Sequence, residues 1–120
     1  MKKLYTKYCG VTFESACVNT PEFKKFARSM KSAIKKDLAN EGLELTDFNV
    51  GHFYVSGFVK NPRTGKYGYF NTGDVRVDLF GRSFLNNCYV RTAKSPKDYT
   101  GGMNHACAIY DMAPVLAKIV

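Results

Sequence analysis

No run in this sequence approaches the roughly 18 apolar residues that a membrane-crossing helix needs, so no membrane span is expected. The first residues lack the apolar core of a secretory signal, and the expected location is cytoplasmic. Cys9, Cys17, Cys88 and Cys107 never fall in C-x-x-C spacing. They read as free thiols of a reducing compartment rather than a disulfide framework or zinc site. No glycine-rich nucleotide fingerprint is present. His52 and His105 lie far apart in no recognised motif, and Asp74 and Asp78 find no third ligand. Cys107 follows His105 by two residues, a spacing that sends them to different sides of the helix expected there. The chain therefore lacks a convergent catalytic set. It is expected to be no enzyme and to need no cofactor or metal.

Negative charge is also scarce. Eighteen Lys and Arg face ten Asp and Glu, a net charge of +8. Residues 1–41 hold +5 of this and residues 61–100 hold +4, while residues 42–60 carry −1. Two separated basic regions favour a polyanionic partner such as nucleic acid, anionic lipid or an acidic protein surface. The 120 residues, with no repeat, low-complexity tract or linker, suit a single domain over 1–120.

The clearest periodic stretch runs from Thr20 to Gly42. Thr20 is a good N-cap, Pro21 fits the first turn, Glu22 complements the dipole and Gly42 is a stop. At 100° per residue, Phe23, Phe26, Ala27, Met30, Ala33, Ile34 and Leu38 fall on one arc. Lys24, Lys25, Arg28, Lys31, Lys35 and Lys36 fall on the opposite arc. Asp37 is the one charge inside the apolar arc, expected at its rim and paired with a cation from another element. Lys24 with Arg28, and Lys31 with Lys35, are like-charge pairs at i,i+4, each costing about 0.2–0.5 kcal/mol. A local rule broken without compensation suggests a site, although most charge runs are only solvated.

Beyond Gly42 the period changes to two. Leu43 and Leu45, then Phe48 and Val50, alternate with an interruption near Asp47. Phe53, Val55, Gly57 and Val59 are expected on one face of a strand, with His52, Tyr54, Ser56, Phe58 and Lys60 on the other. Asn61-Pro62-Arg63-Thr64-Gly65 is a turn signal, and Lys66–Asn71 completes a hairpin. Asp74–Phe80 and Asn87–Lys94 read as further strands, with Cys88 and Val90 inward. Met103–Ala113 reads as a helix that Pro114 breaks or restarts, leaving an apolar tail, Val115–Val120. Lys3–Tyr8 reads as an edge strand or basic arm, and Thr12–Val18 as one or two helical turns. The expected fold is α+β: an antiparallel sheet of three to four strands in α-β-β-β-α order, flanked by a long basic amphipathic helix and a C-terminal helix.

Four places are candidates for binding. One is the cationic helix face, with Lys2, Lys3 and Lys7 as possible additions. The hairpin turn offers Lys60, Arg63 and Lys66. His52, Tyr54 and Phe58 with Tyr67 and Tyr69 would stack bases if they lay on an open sheet face, but core packing is their expected role. The loop from Arg91 to Asn104 supplies Arg91, Lys94 and Lys97 before a Gly-Gly pair and an expected helix start, where amides hold anions.

TPEFKKFARSMKSAIKK, GHFYVSGFVKN with YFNTGDVR, and VRTAKSPKDYTGG together resemble poorly characterised small proteins of Firmicutes mobile genetic elements. The resemblance covers most of residues 10–104. It implies a protein acting on element DNA or on host defence, with inhibitors of CRISPR effectors (anti-CRISPR proteins) as one class. The element order also resembles the double-stranded RNA-binding domain, whose second helix opens with a lysine cluster. Here the matching region, GGMNHACA, has none, and Lys94 and Lys97 precede it. The expectation is a non-enzymatic protein that binds nucleic acid or a nucleoprotein such as a CRISPR effector. The alternative is a protein–protein module or homo-oligomer using its sheet or its apolar tail.

Overall fold

The structure is a computed structural model that describes residues 20–73 and 88–120. It is an α+β arrangement. Helix α1 (Pro21–Asn40) leads into strands β1 (Glu44–Gly51), β2 (Tyr54–Lys60), β3 (Tyr67–Asn71), β4 (Cys88–Ala93) and β5 (His105–Cys107). A single 3-10 turn (Ile109–Asp111) and helix α2 (Met112–Ile119) follow. Among the described residues the sheet is antiparallel throughout, in the order β1-β2-β3-β4-β5, with five strands rather than three or four. The expected strand at Asp74–Phe80 and the expected elements before Thr20 lie outside the described residues.

Helix α1 forms where its local signals place it. The Thr20 hydroxyl oxygen accepts from the Phe23 amide at 3.2 Å. The far end closes as a Schellman turn: Leu43 N donates to Leu38 O at 2.9 Å and Gly42 N to Ala39 O at 3.0 Å. Gly42 takes φ +75°, which a side chain would oppose. Leu43 and Leu38, the two residues this turn brings together, are both buried. All seven residues of the apolar arc are buried, and all six cations of the other arc are exposed. Each large apolar side chain so buried contributes roughly 1.5–3 kcal/mol.

Both helices pack on one face of the sheet, against Val55, Val59, Phe70, Cys88 and Val90. Helix α1 lies over β1, and α2 over β3 and β4. Gly57 and Gly68 leave the space this requires. A Cβ on Gly57 would come within 2.8 Å of the Phe70 ring, and one on Gly68 within 2.8 Å of Leu116. The interruption near Asp47 is a bulge, with the β1–β2 register shifting between Leu45 and Asp47. It keeps Leu45, Phe48 and Val50 on the helix side, opposite Val59, Gly57 and Val55.

The C-terminal third departs from expectation. Met103–Ala113 is not one helix: His105–Cys107 pairs with Cys88–Val90, and the helix begins at Met112. Pro114 sits in the first turn of α2, where its missing N–H costs no bond. The apolar residues 115–120 are no free tail. Leu116 and Val120 are buried in the core, and the main-chain oxygen of Val120 accepts from Asn61 Nδ2 and Thr64 Oγ1. Among the described residues, no helix is long and apolar enough to cross a membrane.

Candidate functional site

A groove runs between the exposed side of α1 and strand β1, the edge of the sheet among the described strands. Its upper part, about 320 Å³, is lined by Lys24, Ala27, Arg28 and Lys31 on the helix and by Phe48 and Val50 on the strand. Its lower part, about 210 Å³, is lined by Lys31 and Lys35 against Leu45, Thr46, Asp47 and Phe48. Lys31 and Phe48 belong to both parts, and Lys31 Nζ lies 5.9 Å from the Phe48 ring centroid. One wall carries four cations, and Asp47 is the one acidic residue in the lining of either part. Helical geometry spaces Lys24, Arg28, Lys31 and Lys35 along about 16 Å.

The strand wall owes its shape to the bulge. By turning Phe48 and Val50 to the helix side, the bulge puts apolar groups beneath the cationic row. Among the described strands none lies beyond β1 to cover them; Val50 is 44% exposed and Phe48 half-buried. The helix half of this site is legible from periodicity. Phe48 and Val50 were expected only as strand residues, and their signal is the apolar alternation that resumes after Asp47.

The other candidate residues lie elsewhere. Lys25 and Lys36 are exposed on α1 but do not line the groove. Arg63 and Lys66 are exposed at the β2–β3 turn. That turn is built on Asn61, whose carbonyl accepts from Gly65 N at 2.8 Å and whose Oδ1 accepts from Arg63 N at 3.0 Å. Asp37 is half-buried on α1 and lines a small cleft with Met112 and Ala113, in the first turn of α2. The positive end of that helix favours a carboxylate there. Lys2, Lys3 and Lys7 lie outside the described residues.

Arg91 is a correction: it is 4% exposed and not available to a polyanion. Its guanidinium donates to Asp98 O at 2.6 Å and Thr92 O at 3.1 Å, and lies 4.4 Å from the Tyr69 ring centroid. It thus anchors the loop that carries Lys94 and Lys97, both exposed, on the sheet face opposite the helices. Asp98 organises that loop. It accepts from the amides of Lys94, Thr100 and Gly101, and these bonds, that from Lys94 foremost, hold its carboxyl below the usual range. Nor does a helix start after the Gly-Gly pair. Gly102 has φ +75° and packs against Thr92.

The aromatic face takes the core-packing role expected of it. Register aligns Phe58, Tyr69 and Arg91 across β2, β3 and β4. Tyr99 stands edge-on to Phe58 at 5.1 Å and to Tyr69 at 6.1 Å, and Asn49 Nδ2 donates to its hydroxyl. Phe58 is fully buried and Tyr69 is 8% exposed, so these two serve as packing and are closed to bases.

Strand geometry, unlike the expected helix, turns His105 and Cys107 to the same side. Burial foremost, with the Asp111 charge, pushes the Cys107 thiol up to about 11, opposite to the direction that activates a nucleophile. Cys107 pairs in register with Cys88, whose thiol burial raises further. Among the described residues, no group of three His, Cys, Asp or Glu is placed to hold a metal. No protein-family model, curated protein or solved structure matches the chain.

Proposed function

We propose that this is a small basic binding protein that holds nucleic acid, free or within a nucleoprotein, in the groove between α1 and β1. One observation carries the reading. Lys24, Arg28, Lys31 and Lys35, an arrangement costly to the isolated helix, form one wall of an open groove with an apolar floor. Phosphate contact needs mobile cations spaced along a surface, and this wall supplies them. The ligand we propose includes the nucleic acid of a CRISPR effector, the setting implied by the resemblance to mobile-element proteins.

The test is fluorescence anisotropy with labelled DNA and RNA, single- and double-stranded, across a salt series. Micromolar or tighter binding is expected, with log K falling against log salt at a slope of about −3 for four phosphate contacts. Absence of binding to all four at low salt sinks the proposal for free nucleic acid. Capture of an assembled effector, but not of its naked RNA, then selects the nucleoprotein.

A further inference from the structure

Resting on that reading, we infer that the groove takes an unpaired strand in preference to a duplex, with a base set against Phe48 and Val50. The argument is the mismatch between the two walls. A duplex shows a protein surface its phosphates and keeps its bases stacked inside, so it would use the cations alone. It would leave the floor, where Val50 is 44% exposed and the Phe48 ring half-buried, facing water or backbone. A single strand presents phosphates on one side and unsatisfied aromatic faces on the other. That is the pairing of cation row and apolar floor found here.

The charge of the groove selects this occupant over a neutral peptide. Every charged side chain on the helix wall is cationic, and Lys31 projects over the ring itself, within 5.9 Å of its centroid. A base entering beside Phe48 would therefore meet a ring edge or face and have a cation next to its phosphate. The upper part of the groove, about 320 Å³, lies within the size range of sites that enclose small organic molecules. The row of cations spans about 16 Å of helix, room for a few nucleotides in extended form. Asp47 lines the lower part only, so the strand's phosphates are expected along Lys24, Arg28 and Lys31.

The experiment compares a pyrimidine single strand with a duplex of equal length at matched salt, using the full chain and the Phe48→Leu variant. Leucine keeps an apolar side chain for the core contacts and removes the aromatic face. The expected result is at least about tenfold tighter binding of the single strand than of the duplex, a preference lost in Phe48→Leu. A 2-aminopurine base in the strand should be quenched by the parent protein and not by the variant. Equal affinity for strand and duplex, with Phe48→Leu silent, overturns this inference and leaves the cationic groove standing. Displacement of the strand by poly-glutamate as readily as by unlabelled oligonucleotide overturns it in favour of an acidic peptide. Failure to bind either nucleic acid at low salt overturns the underlying reading as well.

Discussion

The hydroxyl of Thr64 donates to the main-chain oxygen of Val120 at 2.6 Å, joining the β2–β3 turn to the end of α2. Asn61 Nδ2 reaches the same oxygen at 3.3 Å from a side chain that is 6% exposed. The turn is thus a clasp on the last helix. Thr64→Val removes this bond and the one its hydroxyl accepts from Lys66 N, and should cost about 1–3 kcal/mol in urea unfolding. Asn61→Ala should cost as much, about 1–3 kcal/mol, because it strips several partners in a buried turn.

Removing the apolar end tests whether it serves the core. Leu116→Ala should destabilise by about 2–5 kcal/mol, as for a large side chain deleted from a packed interior. Truncation before Pro114 should unfold the protein outright. A folded truncation product that merely loses oligomers, seen by circular dichroism and light scattering, would return these residues to a role in assembly.

The cations of the groove should behave in the opposite way. Replacing Lys24, Arg28, Lys31 and Lys35 together by Gln removes two like-charge pairs and keeps good helix formers. Stability should hold or rise by about 0.4–1 kcal/mol, while affinity for nucleic acid collapses. A thermal melt and a binding isotherm on the same sample check both halves. Intact binding would exclude this wall.

Arg91 should act on the fold and leave the ligand's salt slope alone. Arg91→Ala should release the loop around Asp98 and destabilise by several kcal/mol, given two charge-assisted bonds and a stacked ring. Asp98 makes the same loop sensitive to acid. Its carboxyl titrates below the free value of 3.8, so its contribution is present above that pH and fades as pH falls through the lowered value. The amide resonances of Thr100 and Gly101 should move together in that acid range, and stay fixed in Asp98→Asn.

Cys107 should alkylate slowly. With its thiol at about 11, only about one molecule in a thousand is thiolate at pH 8, and the rate should climb steeply above pH 9. The sign for stability is the same as for any raised group. The neutral thiol's contribution is complete below pH 9, its unfolded value, and is lost as pH rises through about 11. Peptide mapping after iodoacetamide treatment distinguishes Cys107 from the other three cysteines.

How far the sequence predicts this molecule depends on where each signal resides. Helix α1 is legible because its period, its Thr20 cap and its Gly42 stop are all local. The bulge is legible as a break in alternation at Asp47. Strand β5 is not, since His105–Cys107 is three residues long and exists through pairing with Cys88–Val90. The burial of Arg91 is equally hidden. Its partners are two carbonyl oxygens, which no residue type advertises, and a ring on another strand. Half of the groove was readable in the lysines. The other half depends on β1 standing at the edge of the described sheet, which only the strand order reveals.

The Schellman turn after α1 has a consequence for how this surface can change. Both walls of the groove come from one unbroken stretch of chain, Lys24 to Val50, joined in sequence by Glu41, Gly42 and Leu43 and held together by the core beneath α1. The length of that three-residue join sets where the helix lies along β1. Lengthening it by one residue would shift the register of the cationic row against Phe48 with every lining side chain still in the sequence. Evolution can retune the gap between those walls by insertion there, without altering a single contact residue.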